Sequence, residues 1–240
     1  MDVSKVTQKI RQILPLKYCG AVIVAAGNAS RMGGIDKVMA ELDGRPMIVR
    51  TVETFQNCQA IREIVIVTRP DLMEQIAQLC MGFDKVTAVV QGGKDRQESV
   101  EAGLQALSGK VKLAAIQDGA RPLITDAVID RTVRAAHSYG AAAPAISVKD
   151  TIKVAEGGVV KTTPDRATLW AVQTPQVFDR DLLSGALSKA RRDKAAITDD
   201  CSAVERIGFA VKLVEGDERN IKVTTPMDLK IAEFLLEEME

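Results

Sequence analysis

The sequence predicts an α/β protein in which a mostly parallel β-sheet is covered by helices on both faces. In the first 140 residues, short apolar runs alternate with segments of about 10–15 residues whose apolar positions have helical spacing. Several runs end in turns rich in glycine and charged residues, which is typical of a parallel sheet that binds a ligand at its carboxyl edge. With 46% hydrophobic residues, the 240-residue chain can bury a large core as one large domain or two small ones.

Four strands and four helices are predicted before Gly140. The strands are short and apolar or β-branched, and they cover residues 21–24, 64–68, 86–90 and 113–116. The helices cover residues 45–55, 70–80, a segment from the turn at 92–99 to Leu107, and 125–138. Pro46 suits the first turn of the first helix. Strands that alternate with helices in this way form a largely parallel sheet.

The alternation changes after Gly140. Residues 149–166 hold β-branched residues around Gly157 and Gly158 without a helical period, which indicates a hairpin-like excursion, interpreted as an arm towards a second subunit. The other predicted elements are strands at 141–148, 169–173 and 211–214, a turn at 174–176, helices at 181–189, 199–207 and from 225 onward, and a crossing segment at 217–222. Residues 1–17 have the apolar spacing of a short amphipathic helix that ends near Pro15.

Charge and cysteine content exclude several classes of protein. The 32 basic and 32 acidic residues balance, so no net basic field would hold nucleic acid or anionic lipid. The four cysteines lie far apart and form no C-x-x-C pair, which predicts buried, reduced thiols in a cytoplasmic protein instead of a zinc site or a disulfide framework. No apolar run approaches the ~20 residues of a membrane span, and the N-terminus lacks the apolar centre of a signal peptide.

Three turns at predicted strand ends supply candidate ligands for phosphate groups. They cover residues 25–37, 92–99 and 117–122. Glycines let the backbone approach a ligand, and backbone N–H groups flanked by cations bind anions. The candidates among their charged residues are Arg31, Lys37, Arg96, Asp118 and Arg121, joined by Lys222 from the later crossing. Together they indicate a nucleoside triphosphate site, while each cation taken alone also fits a solvated surface charge.

The parts of an acyl-transfer or zinc-hydrolase site are missing. The single histidine, His137, falls in a predicted helix and is expected to be structural, and no G-x-S-x-G or H-E-x-x-H segment occurs. Nucleotidyl transfer depends instead on positioning and charge stabilisation. Asp118 at a strand end suits Mg²⁺, which shares oxygen ligands with substrate phosphates, although an Asp before Gly is also a common turn former.

Nine short motifs in order resemble those of the 2-C-methyl-D-erythritol 4-phosphate cytidylyltransferase family. They are A-A-G-x-x-x-R-M at 25–32, G-G-x-x-R-x-x-S-V at 92–100, D-G-A-R-P at 118–122, V-K-D-T at 148–151, D-R at 165–166, W-A-V-Q-T-P-Q at 170–176, T-D-D at 198–200, V-E-G at 214–216 and N-I-K-V-T at 220–224. Each motif is weak alone, but the ordered set is specific. The resemblance covers the chain from about Gly20 to Phe234.

This resemblance implies a reaction and a set of residue roles. CMP would pass from CTP to 2-C-methyl-D-erythritol 4-phosphate with release of pyrophosphate, helped by Mg²⁺ or another divalent cation. The implied catalytic residues are Arg31, Lys37 and Lys222. The implied CTP contacts are Ala25, Ala26, Gly27, Gly93, Arg96, Ser99, Asp118 and Gly119, with Asp118 also as the metal ligand. The acceptor's phosphate would be held by Arg121, Thr151, Arg166 and Thr174.

The resemblance also implies an architecture. It is a Rossmann-like nucleotidyltransferase fold, organised as an N-terminal helical extension at 1–18 and a single domain at 19–240. A protruding β-arm at about 149–168 would interlock with a second subunit, which makes a homodimer in which Thr151 and Arg166 serve the partner's active site.

Three other functions are compatible with at least part of the sequence pattern. A ribitol 5-phosphate cytidylyltransferase would share the fold and the nucleotide half of the site. A dinucleotide-dependent oxidoreductase would need G-x-G-x-x-G and a later acid for the ribose, whereas the second predicted strand ends on Thr68-Arg69-Pro70. A catalytically inactive nucleotide-binding protein would have no reason to combine Arg31, Lys37, Asp118 and Lys222.

Overall fold

The computed structural model describes residues 15–27 and 36–239, and the predicted α/β architecture is confirmed. Within these ranges, eight strands form one mostly parallel sheet that is flanked by helices. The helix predicted near the N-terminus falls largely on residues 1–14, outside the described residues. Arg31 lies outside them as well.

The elements are numbered in chain order over the described residues. The strands are β1 (Cys19–Ala25), β2 (Glu41–Leu42), β3 (Arg45–Pro46), β4 (Ile61–Thr68), β5 (Val86–Gln91), β6 (Leu113–Asp118), β7 (Ala141–Ser147), β8 (Val154–Glu156), β9 (Val159–Thr162), β10 (Trp170–Val172), β11 (Gln176–Asp179) and β12 (Lys212–Glu215). The helices are α1 (Met47–Asn57), α2 (Met73–Leu79), α3 (Arg96–Ala106), α4 (Asp126–Tyr139), α5 (Arg180–Arg192), α6 (Asp200–Arg206) and α7 (Pro226–Glu237).

The strand order brings three functional loops to one edge of the sheet. The order is β5-β4-β1-β6-β11-β7, and β10 and β12 also pair with β7. β1 is parallel to both β4 and β6, and β4 is parallel to β5. β11 runs antiparallel between β6 and β7. Because parallel strands end on the same edge, the loops after β1, β5 and β6 meet there.

Both faces of the central strands β1, β4 and β6 are buried, which explains their nearly continuous apolar character. Along β1, Ala21 and Ile23 pack under α1, α2 and α4, whereas Val22 faces α3, α5 and α6. A smaller cluster joins α7 to the β2–β3 hairpin. The four cysteines are all buried and free, so their predicted burial is confirmed. Across residues 15–27 and 36–239, every helix is too short or too polar to span a lipid bilayer.

Two local predictions were wrong. Residues 41–46 form the β2–β3 hairpin, so α1 begins at Met47 and Pro46 lies before the helix. Asp43 and Gly44 take positive φ in the tight turn of this hairpin. The hairpin was not predicted because strands of two residues are too short to show a period of apolar residues. A strand that was not predicted, β11, begins at Gln176, the last residue of the turn predicted at 174–176. It fills the gap between β6 and β7, which only the tertiary pairing reveals. The hairpin predicted within 149–166 is present as β8 and β9.

The contact of α3 with the sheet depends on a glycine. A Cβ built on Gly103 would lie 2.2 Å from Cγ1 of Val22 and 2.9 Å from Cγ2 of Val67. Gly103→Ala is therefore expected to lower the free energy of unfolding by about 1–3 kcal/mol, despite alanine's better helix propensity. Gly185 in α5 is exposed, with nothing within 4 Å of such a Cβ. Gly185→Ala is the matched control.

The control is expected to raise the free energy of unfolding by about 0.5–1 kcal/mol, because alanine loses less backbone entropy on folding. Urea denaturation of both variants measures the two effects. Opposite signs are expected, and a stabilising Gly103→Ala would show that α3 does not need this close approach.

Candidate active site

A cleft of about 210 Å³ opens at the carboxyl edge of the sheet, where the loops after β1, β5 and β6 meet. Five separate segments line it. The lining residues are Val24, Ala25, Ala26 and Gly27; Lys37 and Val38; Gly93, Lys94, Asp95, Arg96 and Ser99; Asp118 and Ala120; and Lys222. Nine of the residues singled out from the sequence are therefore brought together: Ala25, Ala26, Gly27, Lys37, Gly93, Arg96, Ser99, Asp118 and Lys222.

Lys37 is carried on an anchored turn beside the β1 loop. Its Nζ lies 3.6 Å from the position that a Cβ would take on Gly27, so the amine rests against the glycine backbone. Oδ1 of Asp36 accepts a hydrogen bond from the N–H of Val38 at 3.0 Å, and Oδ2 of Asp36 lies 2.5 Å from Nη1 of Arg69. These contacts fix the backbone on both sides of Lys37.

The loop after β5 is shaped by close packing and by the cap of α3. A Cβ on Gly92 would lie 2.5 Å from Cβ of Ala26, so only glycine lets this loop approach the β1 loop. Asp95 caps α3 by accepting a hydrogen bond from the N–H of Glu98 at 2.8 Å. Oγ of Ser99 accepts from the N–H of Gly93 at 3.2 Å. The positive end of the α3 dipole thus faces the cleft.

Asp118, at the end of β6, is the negative centre of the cleft. Nζ of Lys222 lies 2.7 Å from its Oδ2, and Nη2 of Arg96 lies 3.7 Å from its Oδ1. Nε of Arg121 is 3.9 Å from Oδ2. Burial alone would raise the pKa of Asp118, but these cations outweigh burial and hold its pKa below the ordinary value. The carboxylate is therefore ionised at neutral pH.

A second carboxylate holds Arg96 from the other side. Oδ2 of Asp200, the first residue of α6, lies 2.8 Å from Nη2 of Arg96, and the Asp200 side chain is completely buried. Burial raises the pKa of Asp200, and Asp118 adds to the rise while Arg96 opposes it; the pKa stays above the ordinary value. Burial lowers the pKa of Arg96, but Asp200 and Asp118 raise it above its usual value. Arg96 is thus shared between two carboxylates.

The four residues predicted to hold the acceptor's phosphate separate into two pairs. Arg121 and Thr174 lie behind Asp118, where Oγ1 of Thr174 accepts from the N–H of Asp118 at 3.1 Å. Burial lowers the pKa of Arg121, and Asp118 counteracts it. Thr151 and Arg166 are exposed near the β8–β9 hairpin, where Nη1 of Arg166 donates to the carbonyl of Lys149 at 2.8 Å. Neither Thr151 nor Arg166 lines the cleft of its own chain.

One residue that was predicted to contact CTP lies outside the cleft, and three residues without a predicted role are buried beside it. Gly119 does not line the cleft but packs on β1, where its N–H donates to the carbonyl of Val24 at 2.9 Å. Asp200, Gln173 and Asn220 received no role from the sequence, although all three are buried next to site residues. The sequence feature that could have identified them is that each lies in one of the quoted motifs: Asp200 in T-D-D, Gln173 in W-A-V-Q-T-P-Q and Asn220 in N-I-K-V-T.

Cations that reach the carboxyl edge of a parallel sheet from separate loops can stabilise the charge that develops during nucleotidyl transfer, so the class of protein that this fold and cleft define is the nucleotidyltransferases. The family model for 2-C-methyl-D-erythritol 4-phosphate cytidylyltransferase matches residues 19–238. The chain therefore belongs to the 2-C-methyl-D-erythritol 4-phosphate cytidylyltransferase family.

Individual relatives agree with this assignment. The 2-C-methyl-D-erythritol 4-phosphate cytidylyltransferase of Geobacillus kaustophilus is 48% identical over 219 residues, which cover 90% of this chain and 96% of the relative. The protein of the same name from Caldanaerobacter subterraneus is 44% identical over 221 residues, or 90% and 97% of the two chains.

Solved structures show the same fold. The 4-diphosphocytidyl-2C-methyl-D-erythritol synthase of Anaerococcus prevotii superposes with a TM-score of 0.85 at 30% identity, covering 93% of this chain and all of that one. The 2-C-methyl-D-erythritol 4-phosphate cytidylyltransferase of Thermus thermophilus gives a TM-score of 0.75 at 31% identity, with 90% and 98% coverage.

Proposed function

We propose that this protein transfers CMP from CTP to 2-C-methyl-D-erythritol 4-phosphate, giving 4-diphosphocytidyl-2-C-methyl-D-erythritol and pyrophosphate. The observation that carries the proposal is the convergence of Lys37, Lys222 and Arg96 on one cleft, from three distant parts of a chain that belongs to this family. A triphosphate carries several negative charges, and this cleft offers the cations and backbone N–H groups to meet them.

The reaction needs electrostatic stabilisation more than acid–base catalysis. The acceptor is a phosphate monoester whose second pKa is about 6, so it is largely a dianion at neutral pH. One of its oxygens attacks the α-phosphorus of CTP in line, and the bond from this phosphorus to the bridging oxygen breaks as pyrophosphate leaves. Lys37 and Lys222 stabilise the charge that develops on the α-phosphate, with Arg31 proposed as a third cation. No catalytic histidine is required.

The nucleoside end of CTP is assigned to the apolar and glycine-rich side of the cleft. Ala25, Ala26, Gly93 and Ser99 would shape the cytosine pocket, with backbone groups facing the edge of the base. Small residues there leave room for a planar base, and the close approach of the two loops at Gly92 sets the width of that pocket. Arg96 holds the second loop through its pairs with Asp200 and Asp118.

Mg²⁺ fits this site as an ion held mainly by the nucleotide. Among the described residues, no three His, Cys, Asp or Glu side chains come together to form a metal cage. The ionised carboxylate of Asp118 would supply one oxygen ligand, since Mg²⁺ is commonly bound by one carboxylate together with substrate phosphates and water. When bound, the ion neutralises charge on the triphosphate.

A homodimer is proposed through the arm at about 149–168. Its hairpin exposes an unusual amount of apolar surface: Val159 is 65% exposed and Val160 53%, and Trp170 at its base is 48% exposed. Exposed apolar patches of this kind mark interaction surfaces. Thr151 and Arg166 lie on this arm outside their own cleft, so they are assigned to the acceptor's phosphate in the partner's site.

Arg166→Ala tests this assignment. The KM for the acceptor is expected to rise about 10- to 100-fold, because a charged hydrogen bond to the acceptor's phosphate is lost, with little change in the KM for CTP. The control is Arg134→Ala, which removes an exposed arginine that pairs with Asp130 on α4. Steady-state kinetics with each substrate varied in turn distinguish the two. A rise in the KM for CTP alone would contradict the assignment.

The acceptor itself is identified by pyrophosphate release from CTP. Strong release is expected with 2-C-methyl-D-erythritol 4-phosphate and little with ribitol 5-phosphate at the same concentration. Activity with the ribitol ester alone would replace the proposed acceptor and leave the nucleotide half of the site intact.

A cytoplasmic location is part of the proposal. All four cysteines are free and buried, and burial raises the pKa of the Cys80 thiol to about 11. Such thiols are protonated and unreactive, as is common in proteins of a reducing compartment.

A further inference from the structure

Two buried amide side chains, Gln173 and Asn220, join the turn before β11 to the crossing segment that carries Lys222. Asn220 is fully buried and Gln173 is 5% exposed. Nδ2 of Asn220 donates to Oε1 of Gln173 at 3.2 Å and to the carbonyl of Thr174 at 3.0 Å. We call these two side chains the amide pair. They belong to the W-A-V-Q-T-P-Q and N-I-K-V-T motifs, which the reaction itself does not explain.

The side-chain amide of Gln173 makes two hydrogen bonds to the backbone of Asp217, as the main chain of a neighbouring β-strand would. Its Nε2 donates to the carbonyl of Asp217 at 2.8 Å, and its Oε1 accepts from the N–H of Asp217 at 3.3 Å. The space for this amide comes from Gly216, because a Cβ there would lie 2.6 Å from Oε1 of Gln173. The crossing segment is therefore fixed to the turn before β11 at Asp217 and again at Asn220.

Lys222 lies between two positions of the chain that are held by hydrogen bonds. Asn220 holds the chain two residues before it, and the N–H of Val223 donates to the carbonyl of Ala120 at 2.9 Å immediately after it. The backbone carbonyl of Asn220 also accepts from Nη1 of Arg121 at 2.6 Å. Asp118, the partner of Lys222, is tied to the same turn through Thr174.

We propose that the amide pair is a positioning unit that fixes Lys222 and Asp118 relative to each other, and so places the Lys222 amine at the reacting phosphate. The inference rests on the proposed catalytic role of Lys222. Neither amide lines the cleft, so both act through the residues that they hold. A misplacement of about 1 Å in a charged catalytic group is enough to cost up to ~100-fold in rate.

The chemistry of the pair requires an amide at position 220. Nδ2 donates to two oxygens at once, and Oδ1 has no hydrogen-bond partner among the described residues, so donation is what the side chain supplies. Asn220→Asp would point a carboxylate oxygen at two acceptor oxygens, and Asn220→Ala would remove the donor altogether. Both variants are expected to lower kcat about 10- to 100-fold, with Asn220→Asp at least as impaired as Asn220→Ala.

A double-mutant cycle between Asn220 and Lys222 tests the inference. The kcat for CMP transfer is measured for the wild type, Asn220→Ala, Lys222→Ala and the double variant, all corrected for the folded fraction by circular dichroism. If Asn220 acts through Lys222, its substitution is expected to cost about 10-fold or more in the wild type but less than about twofold once Lys222 is absent. A purely structural role would lower kcat by the same factor in both backgrounds.

The control is Gln56→Ala, which removes an amide link far from the cleft, between Oε1 of Gln56 and the N–H of Lys85 at 2.9 Å. This variant is expected to lower the melting temperature without changing kcat. The inference would be overturned if Asn220→Ala lowered kcat by the same factor with and without Lys222, or if it left kcat unchanged. In either case a low kcat in Lys222→Ala would still support the proposed function. An unchanged kcat in Lys222→Ala would overturn the inference together with the catalytic role of Lys222 on which it rests, whereas the proposed mechanism as a whole fails only if Lys37→Ala also keeps its turnover. If Asn220→Ala does not fold, Gln173→Glu takes its place in the cycle.

Discussion

Lys222→Ala is expected to lower kcat for CMP transfer by about 10²- to 10³-fold, and Lys37→Ala by a similar factor. Each lysine lines the cleft from a different segment, and each is assigned to charge that grows on the α-phosphate as pyrophosphate leaves. A loss of this kind appears in kcat, because the interaction strengthens in the transition state. Pyrophosphate release at saturating CTP and acceptor measures it.

The control for both variants is Lys110→Ala, an exposed lysine that precedes β6 at the opposite edge of the sheet. Its kcat is expected to match that of the wild type within about twofold, as for a solvated surface charge. Unchanged turnover in both Lys37→Ala and Lys222→Ala, with the proteins folded, would remove the proposed mechanism.

Arg96→Gln is expected to have the largest effect on stability, lowering the free energy of unfolding by about 3–5 kcal/mol at neutral pH. Asp200 is completely buried, and among the described residues Arg96 is the cation that pairs with it. Without Arg96, the carboxylate must either remain charged in a buried place or take up a proton. Both outcomes destabilise the fold relative to the wild type at pH 7.

The pH dependence of this variant has a definite sign. Burial already raises the pKa of Asp200 above its ordinary value, and removing Arg96 raises it further. A group whose pKa is raised in the folded state contributes stability below its unfolded pKa, about 3.9, and loses that contribution as the pH rises through the folded pKa. Arg96→Gln should therefore lose stability, at up to about 1.4 kcal/mol per pH unit, as the pH rises above about 4.

The double variant Arg96→Gln with Asp200→Asn separates stability from activity. Because position 200 no longer carries a titratable group, most of the stability is expected to return and the added pH dependence to vanish, while CMP transfer is expected to stay low without Arg96 on the loop after β5. Urea denaturation at several pH values measures both variants. A free energy of unfolding for Arg96→Gln that stays constant from pH 5 to pH 8 would show that Asp200 does not depend on Arg96.

Most of the main sheet was predictable because its central strands, β1, β4 and β6, are buried on both faces. β1, β4, β5 and β6 are apolar runs separated by amphipathic helices, and such runs are recognisable without knowledge of their partners. β11 was missed because four residues have no measurable period, and their strand geometry comes from pairing with β6 and β7. The β2–β3 hairpin was missed for the same reason.

The site was predictable to the extent that function leaves cations and glycines at strand ends. Lys37, Arg96 and Asp118 meet at one edge because β1, β5 and β6 run parallel in the same sheet, and Lys222 reaches the same cleft from the crossing segment after β12. The role of Asp200 could not be predicted, because a buried carboxylate in a T-D-D motif looks like a helix cap until its distance to Arg96 is known. Gln173 and Asn220 likewise gain meaning only from contacts between segments more than 40 residues apart.

The most direct test of this account is a crystal structure of the protein with CTP and Mg²⁺ bound. The triphosphate is expected in the cleft at the carboxyl edge of the sheet, with the amines of Lys37 and Lys222 within about 3 Å of its oxygens and cytosine between the loops at Ala26 and Gly93. A triphosphate bound elsewhere, or one that touches neither lysine, would contradict it.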